Sequence, residues 1–355
     1  MKLAVVAVVL ALPVAAAAQP GPERRAPVPR AAIDGVIDAL TAHQLVAISD
    51  PHGNAGMQQF LRALFADPRF PQTGADLIVE IGNARYQSLA DAYVDGGAIA
   101  EAELAEVWLN TTVANQISAD VEWFRQFRRI NATLPPDRRL RIVLGDPPID
   151  WARVHTREDH FKWLAQRDSY PAALIQTEII GKGRKALIIY GHLHFQQRNV
   201  GSNFEMVDWR SETIVSLIER AGPTRVFTIW RLEEPLLTVW PEAANWRVPA
   251  FVTVAGTTLG IVDTGRLTTF PSQRGRVVDG KVQAIARDQY ATLPIEQQLD
   301  AVLHLGPDSR TALLPSAAPC QRAGFLEERL RRIAITGIPK FEAENIQKLC
   351  SPGPR

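Results

Sequence analysis

Histidines and carboxylates stand at or just after the ends of four short apolar runs in this chain. These residues are Asp50 and His52, Glu80, Asp146, and His192 with His194. Burying such a side chain without a partner is costly, so a shared polar site explains their placement better than separate positions in a core. The sequence therefore predicts one site in which imidazoles and carboxylates act together.

The residue types favour hydrolysis by activated water. His52 can act as a general base near neutral pH, and a carboxylate such as Glu80 can hold its tautomer and stabilise the imidazolium. His194 and Arg167 would then polarise a carbonyl group or bind an oxyanion. No G-x-S-x-G motif is present, so no covalent nucleophile is evident. Because activated water attacks carbonyl groups, we expect a small-molecule substrate of the ester or amide type. The predicted supporting residues are Asp50, Asp146 and Asp168.

A metal ion is an alternative partner for the same residues. His52, Glu80 and His194 could ligate one divalent ion and leave a position open for water. Three stretches also resemble the motifs of two-metal phosphoesterases, in which Asp50, Asp146 and His192 would be ligands. The spacing departs from that pattern, because the second motif normally reads GDxxD and here Asp146 and Asp150 are one residue further apart. A metal-dependent phosphoesterase is therefore the second hypothesis.

Alternating apolar runs and amphipathic stretches indicate how these residues are positioned. Five runs of four to six residues, rich in Val and Ile, are typical of strands that are buried on both faces. They cover 44–48, 76–81, 140–144, 186–190 and 225–229. Amphipathic stretches over 56–67, 105–132 and 157–183 predict the intervening helices. This alternation predicts an α/β fold, with a mainly parallel sheet and helices on both faces.

Both ends of the chain differ from this central part in composition and in the pattern of apolar residues. The first 18 residues have one lysine, an apolar run and small residues around Ala18, which predicts a signal peptide and an exported protein, periplasmic or secreted. Residues 19–30 are Pro-rich and charged, which is typical of a disordered leader. We expect an α/β domain over 31–232 and a mixed α+β C-terminal extension over 233–355 that packs on it.

Composition limits the partners. The net charge is +1, which favours neither nucleic acid nor an anionic membrane surface, and we expect no integral membrane segment in the mature chain. Cys320 and Cys350 could pair in an oxidising compartment or remain separate thiols, and the sequence leaves both open.

The order of motifs over about residues 44–195 resembles the ChaN / erythromycin-esterase / Tiki (haem-binding-uptake-like) superfamily. The resemblance lies in D-x-HG, then VEIGNARYQSLADAYVDGG, then a helical Arg-Asp, then LIIYGHLH. The GDPPIDW stretch is similar to that of an uncharacterised exported bacterial branch. The matching positions are His52, Glu80, Gln87, Asp91, Tyr93, Gly96, Arg167, Asp168, Gly191 and His194.

This resemblance implies a shared fold but several activities. Members are similar to hydrolases or metal-dependent proteases, and some bind haem, so a haem- or iron-binding protein without catalysis is the third hypothesis. Tyr190 and His192 are possible haem ligands, and the cofactor stays open between none, a divalent metal and haem. In the first motif Asp50 replaces the glutamate of the family and Ser49 replaces its glycine. The carboxylate at this position therefore has a shorter reach than the glutamate of the family.

Overall fold

The computed structural model describes most of the chain from residue 23 to residue 351. The described ranges are 23–114, 121–197, 212–231, 237, 240–263, 275–278, 281–284, 293–306, 317–337 and 340–351. The predicted signal peptide and the first residues of the predicted leader lie outside these ranges.

Ten strands form one eight-stranded sheet and a separate two-stranded hairpin in the described part of the chain. They are β1 (Arg30–Ala31), β2 (Leu45–Ser49), β3 (Ala75–Asn83), β4 (Ile142–Asp146), β5 (Lys185–Tyr190), β6 (Val226–Arg231), β7 (Ala250–Thr253), β8 (Gly275–Val278), β9 (Lys281–Ala284) and β10 (Ala301–His304). The order in the large sheet is β1-β7-β10-β6-β2-β5-β3-β4, and β8 pairs with β9.

Helices connect the strands on both sides of the large sheet. They are α1 (Ala32–Ala42), α2 (Ala55–Ala66), α3 (Gln87–Val94), α4 (Glu101–Leu104), α5 (Glu106–Leu109), α6 (Val121–Asn131), α7 (Arg157–Leu164), α8 (Ser169–Ile175), α9 (Ile214–Ala221), α10 (Phe325–Thr336) and α11 (Lys340–Cys350). None of the described helices is long and apolar enough to cross a membrane.

The central strands are parallel and buried on both faces. β2 pairs in parallel with β5 and β6, and β3 pairs in parallel with β5 and β4. Successive residues of β2 alternate between two apolar clusters, with Val46 and Ile48 in one and Leu45 and Ala47 in the other. This alternation follows from the period of two in a strand, and the Val- and Ile-rich runs satisfy both clusters. The predicted α/β fold with a mainly parallel sheet is confirmed.

The boundaries of the five predicted strands agree with the structure to within about two residues. The predicted helix over 105–132 corresponds to α5 and α6, while residues 115–120 between them lie outside the described ranges. The stretch 157–183 contains α7 and α8, followed by a five-residue π-helix at Gln176–Ile180.

Residues after 232 contribute to the same large sheet. β10 pairs in parallel with β6, and β7 lies antiparallel to β10, which makes the sheet mixed at this side. A disulfide joins Cys320 and Cys350, 30 residues apart, so the pairing left open by the sequence is formed. The predicted division into a domain over 31–232 and an extension stays a prediction.

Candidate active site

The strand order explains why residues distant in sequence meet. β2, β5, β3 and β4 are neighbours in that order and all point the same way. Their carboxyl ends therefore lie along one edge, which is where ligands bind in open α/β sheets. The pairing of β3 with β4 changes register between Val79 and Asn83, and Glu80 lies in this irregular part of β3. Such bulges often redirect a side chain at an active site.

His52 lies in a tight turn after β2, between two carboxylates. Its φ of 52° is in the left-handed region, and its backbone N–H donates to Asp50 Oδ1 at 3.2 Å. Its Nδ1 lies 3.5 Å from Asp50 Oδ2, and its Nε2 lies 3.3 Å from Glu80 Oε2. The side chain is 48% exposed while both carboxylates are buried, so His52 is the part of the site that a solute can reach.

The pKa of His52 is raised to about 8. The negative charge of Glu80 is the largest cause; burial acts against it, and Asp50 adds to the increase. The imidazolium is therefore the favoured form of His52 at neutral pH. A rise of this size means that the carboxylates stabilise the protonated ring.

Glu80 is the buried centre of the site. It accepts a hydrogen bond from the Arg167 guanidinium and another from the Gly191 N–H at 2.7 Å. His194 Nε2 lies 3.5 Å from Glu80 Oε1. Burial alone would raise the pKa of Glu80, but His52, Arg167 and His194 together hold that pKa well below its ordinary value. Glu80 is therefore a carboxylate at neutral pH and can stabilise cations around it.

His194 has a carboxylate partner of its own. Its Nδ1 lies 2.8 Å from Asp168 Oδ1, and the Ile214 N–H donates to the same oxygen at 3.1 Å. Burial alone would lower the pKa of His194, but Asp168 and Glu80 outweigh it and raise this pKa to about 9. His194 therefore carries a positive charge over most of the neutral range.

Asp146 lies behind Arg167, away from His52. Its two carboxylate oxygens accept from Thr112, one from the backbone N–H at 2.7 Å and one from the hydroxyl at 2.5 Å. Arg167 Nε is 3.9 Å from Asp146 Oδ1. Burial raises the pKa of Asp146 to about 7, although Arg167 and Thr112 favour its charged form. Asp146 is a supporting group that contacts the site through Arg167.

His192 belongs to a different environment. Its ring centroid lies 5.6 Å from that of Trp230, and its buried Nε2 has no hydrogen-bond partner. Burial, with a contribution from His194 and His52, lowers the pKa of His192 to about 4. His192 therefore borders the site as a neutral aromatic ring.

Several positions that carry the resemblance to the family make contacts outside the group formed by His52, Glu80 and His194. Gln87 accepts from Leu144 N–H and donates to Ile142 C=O, which fastens α3 to β4. Asp91 forms an ion pair with Arg141 at 3.0 Å. The backbone carbonyls of Tyr93 and Gly96 accept from Arg128. Asp150 caps the turn after β4 and pairs with Arg85 at 3.4 Å.

The donor set does not fit a metal ion. Within the described ranges, no group of three or more His, Cys, Asp or Glu side chains is arranged to hold one. Arg167 already occupies one oxygen of Glu80, and Thr112 occupies both oxygens of Asp146. The cationic role that a metal would have at Glu80 is taken by Arg167 and the two histidines.

One contributor to the site, Thr112, could not be identified from the sequence, and Tyr190 was identified only as a possible haem ligand. Thr112 was hidden within a predicted helical stretch, and nothing local distinguishes it from Thr111. The Tyr190 hydroxyl is buried without a hydrogen-bond partner, and burial, with the charges of Glu80 and Asp146, raises its pKa well above 10. Gly191 was predicted from the resemblance, but its use of a backbone N–H as donor requires the structure.

Comparisons with known proteins find likeness only at the level of solved structures. No family model matches the chain, and no curated protein matches it significantly. The type III effector HopBA1 is 15% identical with a TM-score of 0.35, over 60% of this chain and 88% of its own. ChaN of Campylobacter jejuni, whose structure is described as showing cofacial haem binding, is 12% identical with a TM-score of 0.34, over 57% and 86%. A Bacillus cereus protein is 10% identical with a TM-score of 0.45, over 78% and 92%. Likeness of this extent assigns neither a family nor a function to this chain.

Proposed function

We propose that this protein hydrolyses a small ester or amide with a water molecule activated by His52. The observation that carries the proposal is the position of His52, half exposed at the carboxyl ends of the central strands and held between Asp50 and Glu80. A general base needs access to its substrate and a means of stabilising the proton it accepts. His52 has both, because its ring is half exposed and the negative charges of Glu80 and Asp50 stabilise the imidazolium that forms.

His52 alone accepts and returns the proton in the proposed reaction. Neutral His52 takes a proton from water as the oxygen attacks the substrate carbonyl, and the resulting imidazolium is stabilised by Glu80. The imidazolium then returns the proton to the leaving oxygen or nitrogen. Since the pKa of His52 is about 8, the basic form increases as the pH rises through this value.

His194 supplies positive charge beside this base. It is protonated up to about pH 9 and is 15% exposed. A fixed cation at the position where an oxyanion forms stabilises the transition state more than the ground state. Arg167 contributes to the same field but is bound to Glu80, so we assign it a supporting role.

The other hypotheses are not favoured by a specific observation. The donor set of the described residues argues against the phosphoesterase arrangement, and His192 is turned toward Trp230. Haem binding is stated for ChaN of Campylobacter jejuni, and no contact of Tyr190 or His192 points to it here. Membership of the ChaN / erythromycin-esterase / Tiki superfamily and export from the cytoplasm remain part of the proposal. The Cys320–Cys350 disulfide is compatible with an oxidising compartment.

A panel of aryl esters, alkyl esters, lactones and amides tests the proposed function. We expect the purified chain to hydrolyse at least one class, and His52→Asn to lose roughly 100-fold or more in kcat/KM, as is usual for a general base. His43→Asn is the matched control, because His43 stacks on Phe227 and contacts no residue of the site. Equal activity of wild type and His52→Asn would contradict the proposal.

A further inference from the structure

We infer that the 109–114 segment, held by the C-terminal helix α10, is a positioning element for the active site, in which Thr112 is the positioning residue. The inference rests on the proposed function for its catalytic meaning. The effect of Thr112 on the histidine pKa values can be tested without measuring an activity.

The 109–114 segment is fixed through its backbone carbonyl groups. Five of its six carbonyl oxygens accept a hydrogen bond from a side chain that belongs to another part of the chain. The donors are Arg329 and Arg332 to Leu109, Asn83 to Asn110, Trp151 to Thr111, His160 to Thr112, and Arg329 to Ala114. The segment is therefore held from α10, from β3, from the region between β4 and α7, and from α7 itself.

Two of these donors are arginines of α10 with little exposure. Arg329 is 2% exposed and Arg332 is 6% exposed. Arg332 also donates to the Asn110 side-chain oxygen at 2.9 Å. Burial lowers the pKa of Arg329 to about 9, which means that this position disfavours the charged form of the guanidinium. Helix α10 thus places two buried cations on the 109–114 segment.

Buried carbonyl groups need partners in any fold, so these contacts alone would explain only the folding of the segment. The contacts of Thr112 go further, because its N–H and its hydroxyl both donate to the buried Asp146. Asp146 in turn faces Arg167, and Arg167 binds Glu80 beside His52. The N–H and hydroxyl of Thr112 thereby orient Asp146, a carboxylate that is three contacts away from the proposed base and is joined to it by Arg167 and Glu80.

The charged groups around Asp146 define the expected effect. Arg167 and Glu80 act on Asp146 through their charges, and Thr112 through hydrogen bonds. Losing the Thr112 hydroxyl favours neutral Asp146, which leaves more of the Arg167 charge to act on Glu80 and His52. We expect the pKa of His52 to fall by about 0.5, because the charge of Arg167 acts on His52 over a distance at which the interaction is partly screened.

The test is an NMR titration of the histidine rings in Thr112→Val, Thr112→Ser and Thr111→Val. Thr112→Val should shift the His52 and His194 midpoints and reduce kcat/KM by roughly 5–10-fold, since a hydrogen bond to a charged group is lost. Thr112→Ser keeps the donor and should restore both values. Thr111→Val is the matched control, because within the described part of the chain the Thr111 hydroxyl donates only to the Trp108 carbonyl, at 3.5 Å. Identical midpoints in Thr112→Val and Thr111→Val would overturn the inference.

The contribution of α10 is tested by Arg329→Lys against Arg331→Lys. Arg329 binds the Ala114 and Leu109 carbonyls through two separate guanidinium nitrogens, a planar fork that lysine lacks. Arg331 binds the Val154 and Trp151 carbonyls outside the segment. We expect only Arg329→Lys to shift the His52 midpoint, and equal shifts would overturn the role of α10. A chain that shows the Thr112 effect but hydrolyses nothing would contradict the proposed function and leave the positioning role supported.

Discussion

Glu80 connects the charged groups of the site, because His52, Arg167 and His194 all contact this one carboxylate. Its own pKa stays low only through these cations, and the pKa of His52 is raised chiefly by Glu80. The protonation of the proposed base is therefore a property of the pair His52–Glu80 and not of the imidazole alone.

Replacing Glu80 tests this coupling at a single residue. In Glu80→Gln the pKa of His52 should fall from about 8 toward its ordinary value of 6.5, because the largest cause of its rise is removed. The midpoint is measured by NMR titration of the His52 ring. Glu103→Gln, at an exposed position of α4, is the control. An unchanged midpoint in Glu80→Gln would show that another group holds the proton on His52.

Gly191 lies against the centre of the site, and its lack of a side chain leaves room for His52 and Glu80. A Cβ at this position would be 3.2 Å from His52 Nε2 and 3.7 Å from Glu80 Oε2. Its φ of −58° suits any residue, so Gly191→Ala should fold normally but lose about 10-fold in kcat/KM through displacement of His52. Gly222→Ala, where a Cβ meets nothing within 4 Å, should leave activity unchanged. Normal activity in Gly191→Ala would place the reacting atoms elsewhere.

At the scale of elements, the strands were predictable and the connections were not. Runs such as 44–48 and 186–190 are apolar because both faces of β2 and β5 are buried, and the period of two leaves no polar position. The residues after these runs could therefore be assigned to one edge. The sequence did not show that β5 lies between β2 and β3, since that order depends on long-range packing.

The α10–α11 pair is closed by the Cys320–Cys350 disulfide, which offers a test of how the C-terminal elements are held. A cross-link over 30 residues restricts the unfolded chain, so the double variant Cys320→Ser/Cys350→Ser should lose about 3–4 kcal/mol in the free energy of unfolding. Urea unfolding of the variant and the oxidised protein measures this difference. A difference near zero would indicate that the unfolded chain gains little freedom when the bond is absent.

At the scale of the whole molecule, the buried ionisable groups predict how stability depends on pH. His52 and His194 have raised pKa values of about 8 and 9, so their contributions are fully present below pH 6.5 and are lost as the pH rises through those values. Asp146 also favours folding less as the pH rises from its ordinary pKa toward about 7. The free energy of unfolding should therefore decrease between pH 7 and pH 9.

Chemical unfolding at each pH measures this slope. His52→Asn should reduce the loss between pH 7 and pH 9, because one of the two titrating histidines is removed. On the acid side Glu80 has a lowered pKa, so its contribution is present above its ordinary value and is lost as the pH falls. Stability that rises from pH 7 to pH 9 would contradict the arrangement of charges described for the site.

The residues at the ends of strands could be inferred from the sequence, whereas the residues placed by long-range packing could not. His52 and His194 follow strands and Glu80 lies near the end of one, so their shared edge could be predicted. The structure brings them together with Arg167 and Asp168. Thr112 could not be predicted, because its position depends on buried arginines more than 200 residues later in the chain. The role of His192 was also beyond the sequence, since a histidine two residues from His194 looks equivalent until Trp230 is placed beside it.

The most direct test of the central claim is the pH dependence of kcat/KM for the best ester of the panel, measured on the wild-type chain and on His52→Asn. For the wild-type chain we expect kcat/KM to rise tenfold per pH unit below the midpoint and to level off above about pH 8. For His52→Asn we expect a much lower kcat/KM without this midpoint. A wild-type profile with no midpoint near pH 8, or the same profile in His52→Asn, would contradict the assignment of His52 as the base.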